Sequence, residues 1–207
     1  MWEERLSEFI TLFIVINPFG VLPAFLAMTA GVPSDTQRKL ASMAVLVSFV
    51  VLLFFIVAGG FLLEKIGVSL RSFQIGGGII LFLIALEMVR GETHAPTTAV
   101  GHDHGPMALV IYPLAIPKIA GPAAMLAVVL LTDDHRFQFQ ELAMTTGVLA
   151  IVLIITLGAL LAAGPISRLL GMSGASVVNR VLGMILVALA VQTILTGVGD
   201  WLGLPKL

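Results

Sequence analysis

The chain has 207 residues, 58% of them hydrophobic and 11% charged, with a net charge of −1 and no cysteine. A soluble domain of this size carries roughly a quarter charged residues to cover its surface, so a water-soluble fold is excluded, and a charge near zero leaves no electrostatic footprint for nucleic acid. Without cysteine there are no disulfides, thiolate metal sites or thiol catalysis.

The chain opens on MWEERLSEF, with two acids before its first arginine. It lacks the basic region and small-residue cleavage site of a signal peptide, so the first apolar segment is expected to remain in the mature protein. Six apolar runs follow, at 9–30, 40–63, 73–89, 107–131, 142–163 and 177–198. Each approaches the ~20 helical residues that cross a bilayer core, and the third gains length if Arg90 snorkels. The connections GVPSDTQRK, EKIGVSLRS, RGETHAPTTAVGHDHGP, TDDHRFQFQE and SRLLGMSGASVVNR hold most of the charge. Solid rather than alternating apolar runs exclude a β-barrel.

The two halves resemble each other. INPFGVLPAFLAM aligns with IPKIAGPAAMLA, which sets Pro18 on Pro117 and Pro23 on Pro122. GGFLLEKIGVS aligns with AGPISRLLGMS (Gly60 on Gly164, Gly67 on Gly171), and GIILFLIALEM with GMILVALAVQT (Gly78 on Gly183, Glu87 on Gln192). Three spans per half is an odd number, so the second half enters the membrane upside down. The reading is an all-α membrane protein of six transmembrane helices in two inverted three-helix repeats. Repeat 1 occupies 1–90, a linker 91–106, and repeat 2 107–207. Inverted repeats of this kind are typical of secondary transporters, where matched interrupted segments point to the binding site. Arg5, Lys65, Arg71, Arg136 and Lys206 fall on the side of the termini, and Arg38, Lys39, Arg90, Arg168 and Arg180 on the other. The count is even, and the adjacent Arg38-Lys39 pair tilts the orientation towards termini outside.

The repeated P-x4-P predicts breaks in the first and fourth helices. An interior proline removes a donor and clashes with the carbonyl four residues earlier, at roughly 3 kcal/mol. The carbonyls of Ile14 and Phe19, and of Leu109, Pro113 and Lys118, are the ones freed. Freed carbonyls must be packed in protein or line a wet cavity. Asn17-Pro18 has the form of an N-cap followed by proline, and Gly121-Pro122 a weaker version of it. Half-helices starting there would present N–H groups to a carboxylate, while the carbonyls suit an ammonium group or a cation. Asn17, Pro18, Phe19, Gly20 and Pro23 with Ala120, Gly121 and Pro122 are therefore the expected substrate site. Gly20, Ala120, Gly121, Ala123 and Ala124 leave room for a small zwitterion, and small residues also serve helix packing.

Two charges lie within the spans. Lys118 is read as a partner for a substrate carboxylate or for Glu87, or as a snorkelling side chain; Glu87 is read as a proton or ion coupling group or as an interfacial carboxylate. The long connection holds His94, His102, Asp103 and His104 among threonines, prolines and glycines, a linker composition in which no resident metal or cofactor is expected. No catalytic constellation stands out, and Thr11, Ser48, Thr145, Thr146 and Thr156 are expected to bond back to their own helices.

VINPFGVLPAFLAMT, YPLAIPKIAGPAAM, GGGIILFLIALEM and LGMILVALAVQTIL, in that order, resemble the MarC family of bacterial and archaeal membrane proteins. The resemblance runs through all six spans. It implies a six-helix inner-membrane protein of two inverted repeats, a small neutral amino acid such as glycine or alanine as the substrate of its SnatA-like members, and a proton gradient as the driving force. Asn17, Pro18, Gly20 and Pro23 match the first family signature, and Pro113, Pro117, Gly121 and Pro122 the second. Lys118 and Ala123 depart from it, standing where the family commonly has an apolar residue and a second glycine. The alternatives are a divalent-metal or cation exporter entered through His102, Asp103 and His104, and a membrane protein that transports nothing.

Overall fold

The structure, a computed structural model, describes residues 2–91, 110–133 and 139–204. Its elements are α1 (Trp2–Ile16), α2 (Pro18–Met28), α3 (Ser34–Ile66), α4 (Leu70–Arg90), the irregular α5 (Val110–Ile119), α6 (Pro122–Asp133), α7 (Phe139–Leu161) and α8 (Ala163–Leu202). No strand occurs among the described residues.

Five stretches are long and apolar enough to cross a membrane: Trp2–Met28, Ser34–Ile66, Leu70–Arg90, Phe139–Leu161 and Ser176–Leu202. Their large side chains sort by face. On α3, Ala41, Ala44, Ser48, Leu52, Ile56 and Gly59 are buried, whereas Val50, Phe54, Val57 and Phe61 are exposed at helical spacing. An exposed stripe that apolar is a lipid-facing one.

The fourth run is interrupted, as expected, into two short pieces, α5 and α6, because its prolines prevent a continuous helix. Within α5, Tyr112 (φ −132°, ψ 124°) and Ile116 (φ −126°, ψ 122°) are extended. Each precedes a proline, whose ring excludes the helical conformation from the residue before it. One sequence expectation is corrected: SRLLGMSGASVVNR, expected as a connection, is found inside α8. Pro165 stands in the first turn of that helix, where proline is tolerated, and no further proline follows up to Leu202. The 40 residues of α8 extend over about 60 Å at 1.5 Å per residue.

Packing divides the molecule in two. The larger buried cluster joins α1, α2, α3, α5, α6 and α7 through Leu12, Phe25, Leu52, Ile119, Val128 and Leu149. Apart from the first turn of α8 it draws nothing from α4 or α8 among the described residues. Those two helices pair with each other and form a smaller cluster, Leu81, Ala85, Leu186 and Ala190, joined by Ala123 of α6. Small residues allow that pairing. A Cβ on Gly78 would lie 2.7 Å from Cγ1 of Ile194, and one on Gly183 would lie 2.9 Å from Cβ of Met88 and 3.1 Å from the Val89 nitrogen. Contacts that rise along α4 and fall along α8 make the pair antiparallel. Close backbone approach of this kind supplies the van der Waals attraction that holds helices together in lipid.

Gly183→Leu is expected to lower the stability of the purified protein by about 1–3 kcal/mol, the usual cost of overpacking. Val57→Leu on the lipid face should stay within about 0.5 kcal/mol. Thermal unfolding of both variants in detergent checks the difference.

Candidate functional site

The first break is built around one residue. Asn17 separates α1 from α2 with φ 49° and ψ 71°, the one positive φ outside glycine among the described residues. Asparagine tolerates this left-handed conformation because its short amide bonds locally. The Gly20 N–H donates to Oδ1 of Asn17 at 3.0 Å and to the Asn17 carbonyl at 3.0 Å, so the residue caps α2 as expected. Pro18 occupies the first helical position, where its missing N–H costs nothing. Phe13 and Phe19 meet edge to face across the break, with ring centroids 6.3 Å apart.

Asn17 is 8% exposed. Its Nδ2 donates to Oδ1 of Asn179 on α8 at 3.1 Å and approaches Sδ of Met88 on α4 at 3.9 Å. The first break is thereby tied to the α4–α8 pair by an amide–amide bond. Gly20 leaves room for it: a Cβ there would collide with the Asn17 amide and lie 2.8 Å from Oδ1 of Asn179. Asn179 was missed by the sequence reading, which placed it in a connection. Its only sequence signal is an asparagine at the start of the last apolar run.

The second break lies at Ala120-Gly121. The Met125 N–H donates to the Gly121 carbonyl at 2.9 Å, which makes Gly121 the capping position, and α6 starts at Pro122. Before the break, the Ala120 N–H reaches back five residues to the Ala115 carbonyl at 2.8 Å. That carbonyl also receives Oγ of Ser48 at 3.4 Å, while Ser48 bonds to Ala44 of its own helix at 2.8 Å. The Pro117 carbonyl sits where a Cβ on Gly121 would fall.

The expected site residues separate accordingly. Asn17, Pro18, Ala120 and Gly121 are buried and Phe19 and Gly20 half-buried, whereas Pro23 and Pro122 are exposed. Ile16 and Val21 on one side and Ile119, Ala120 and Ala124 on the other belong to one core cluster, so both breaks are covered by protein. Pro23 does not break α2; it stands within the helix, whose Val21, Leu22, Ala24 and Phe25 are buried around it. The half-helices start at Pro18 and Pro122, so the equivalent breaks are not the two P-x4-P prolines aligned in sequence. Asn17 itself also takes the Gly20 N–H, one of the first-turn donors of α2 that a carboxylate was expected to meet. A cavity of about 140 Å³ lies between α1, α4, α6 and α8, with Thr11, Val15, Leu81, Ala123 and Thr193 among its walls. Ala123 brings it to the first turn of α6, and neither Asn17 nor Gly121 lines it.

Glu87 and Lys118 are both exposed, at the end of α4 and in α5. The charges that cluster with little exposure among the described residues are others: Arg5 and the buried Glu8 of α1 with Glu141 of α7. Thr145, expected to bond back to its own helix, joins them instead, while Thr146 and Thr156 do bond back, to Leu142 and Val152. His94, His102, Asp103 and His104 lie outside the described residues. Among the described residues no group of three metal-ligating side chains converges.

A family model described as MarC family integral membrane protein matches residues 2–202. The chain belongs to the MarC family. It is 32% identical over 196 residues to a UPF0056 membrane protein of Archaeoglobus fulgidus, covering 94% of this chain and 92% of that one. It is also 30% identical over 204 residues to the UPF0056 inner membrane protein YhgN of Escherichia coli K12, covering 97% and 98%. No solved structure matches the chain. As a MarC protein with several apolar helices of spanning length, it is an integral membrane protein.

Asn17→Ala is expected to cost about 0.5–2 kcal/mol for the lost cap. Asn179→Ala strands the same amide, so the double variant should fall short of the summed losses by about 0.5–3 kcal/mol. A double-mutant cycle in denaturant unfolding measures that coupling.

Proposed function

We propose that the protein is a secondary transporter of small neutral amino acids of the glycine or alanine class, built as two inverted repeats. The observation that carries this reading is the pair of half-helix starts, Pro18 and Pro122, whose breaks are buried in one core. Irregular backbone at membrane depth is tolerated where it is enclosed or serves a passage, and paired interruptions are the hallmark of transporter sites. The starts are 104 residues apart, the separation that also relates Gly60 to Gly164 and Gly67 to Gly171. The α4–α8 contacts support a repeat at a separation of 105 residues. Gly78 packs on Ile194 and Gly183 on Val89, and each pair becomes the other when the halves exchange.

In this reading the substrate carboxylate binds the first-turn N–H groups of α6 beside Ala123, where the cavity opens and Pro122 supplies no donor. The ammonium is held by the hydroxyl oxygens of Thr11 and Thr193, the polar side chains on the walls of the same cavity. The cavity is small and mostly apolar, which favours a short aliphatic side chain. Alternating access arises from the α4–α8 pair moving against the rest. The seam between the two packing units passes through Asn17–Asn179 and Ala123.

Proteoliposomes containing the purified protein should show glycine or alanine counterflow, and Gly121→Leu, which drives a side chain into the Pro117 carbonyl, should abolish it. A thermal shift produced by glycine or alanine with the unmodified protein gives an independent measure of binding. Neither counterflow nor a shift with any small amino acid would defeat the proposal.

A further inference from the structure

The largest charge anomaly lies away from both breaks. Arg5 and Glu8 are three residues apart on one face of α1, and the same face carries Leu12 and Ile16 into the core. Nη1 of Arg5 contacts Oε1 of Glu8 at 2.8 Å and Oε2 at 3.0 Å, while its Nη2 pairs with Oε2 of Glu141 on α7. Thr145, one turn further along α7, accepts from Arg5 at 3.3 Å and donates to Oε2 of Glu8 at 3.4 Å. Glu8 is only 6% exposed, and the side chains of Arg5 and Glu141 are 17% and 22% exposed. Nε of Arg5 is buried with no hydrogen-bond partner.

We propose that Arg5, Glu8 and Glu141 form a proton-binding site that couples transport to a proton gradient. One guanidinium faces two carboxylates, so the fully ionised triad carries one excess negative charge. Among the described residues the charged groups acting on Glu8 are Arg5 and Glu141 alone. α6 and α8 also pack against α1; Asp200 of α8 is half-exposed and is not among the charges acting on Glu8, and Glu3 and Glu4 in the preceding turn are exposed. An uncompensated charge with so little water around it is costly. A proton taken up by the carboxylate pair, which titrates as a unit, turns one carboxylate into a carboxylic acid and brings the triad to neutrality. Release of that proton on the opposite side restores the charge.

The position of the triad makes the proton matter to the site. Glu8 is nine residues before Asn17 on one uninterrupted helix, about 14 Å at 1.5 Å per residue. α1 is thus held to α7 by charge at one end and joined to the first break at the other. Neutralising the triad weakens the hold on α7 and frees α1 to shift at Asn17. This rests on the transporter reading for its consequence, but the protonation itself does not.

The test uses the full chain in proteoliposomes, with alanine counterflow and alanine accumulation under a pH difference of one unit. One proton per alanine supports about tenfold accumulation per pH unit. Glu8→Gln and Glu141→Gln should keep counterflow while accumulation falls to about one. If both variants accumulate alanine like the unmodified protein, or if both fold yet lose counterflow as well, the triad is a structural lock and the proposal is overturned. Absence of counterflow in the unmodified protein would instead fail the transporter reading. Infrared difference spectra of the unmodified protein then decide the protonation independently: a carboxylic-acid carbonyl band that appears on acidification and is missing in the Glu8→Gln or Glu141→Gln variant supports the site, and its absence overturns it.

Discussion

The hydrocarbon interior offers no water to a backbone N–H or carbonyl, so any interrupted helix must be completed by protein. The two breaks obey that constraint in different ways. At the first, a single left-handed asparagine turns the chain, caps the next helix with its own side chain and spends its remaining donor on Asn179. At the second, three prolines spread the disturbance over ten residues, and the Ala115 carbonyl is shared between the Ala120 N–H and Ser48 of α3. Everything around these places is small or tightly packed because the freed polar groups have nowhere else to go.

The same constraint explains why the molecule has two packing units rather than one. Lipid gives no hydrophobic reason for helices to associate, so contact depends on how closely backbones approach. α4 and α8 carry glycines at the points where they cross and form a pair of their own. The other helices interlock through bulkier side chains around Leu52 and Leu149. The boundary between the units is narrow, and two of its members, Asn17 and Ala123, stand at the helix interruptions. A site on the boundary between two internally well-packed bodies is one whose access can change without unpacking either of them.

Charge is distributed with similar economy. Among the described residues, the ion pairs with little exposure are those that Arg5 makes with Glu8 and Glu141. A simple structural bridge would need one carboxylate; the second one makes the cluster sensitive to protons. Lys118 and Glu87, the charges most conspicuous against the apolar background of the sequence, are exposed and stand apart from this cluster.

Some of this was decided by the sequence alone. Composition and run length establish an integral membrane protein, and the Asn17-Pro18 and Gly121-Pro122 pairs mark both helix starts, because proline's missing donor and fixed geometry act locally whatever surrounds them. Other features needed the tertiary structure. Pro23 continues its helix because buried neighbours hold it there, and the 167–180 stretch is helical although its polarity suggested a connection. Glu8 and Glu141 are 133 residues apart in the chain, and Asn17 and Asn179 are 162 apart. Nothing in the local pattern of either member signals its partner. Such pairs exist only once helices far apart in sequence are packed side by side, since hydrogen bonds and ion pairs depend on distances that periodicity cannot encode.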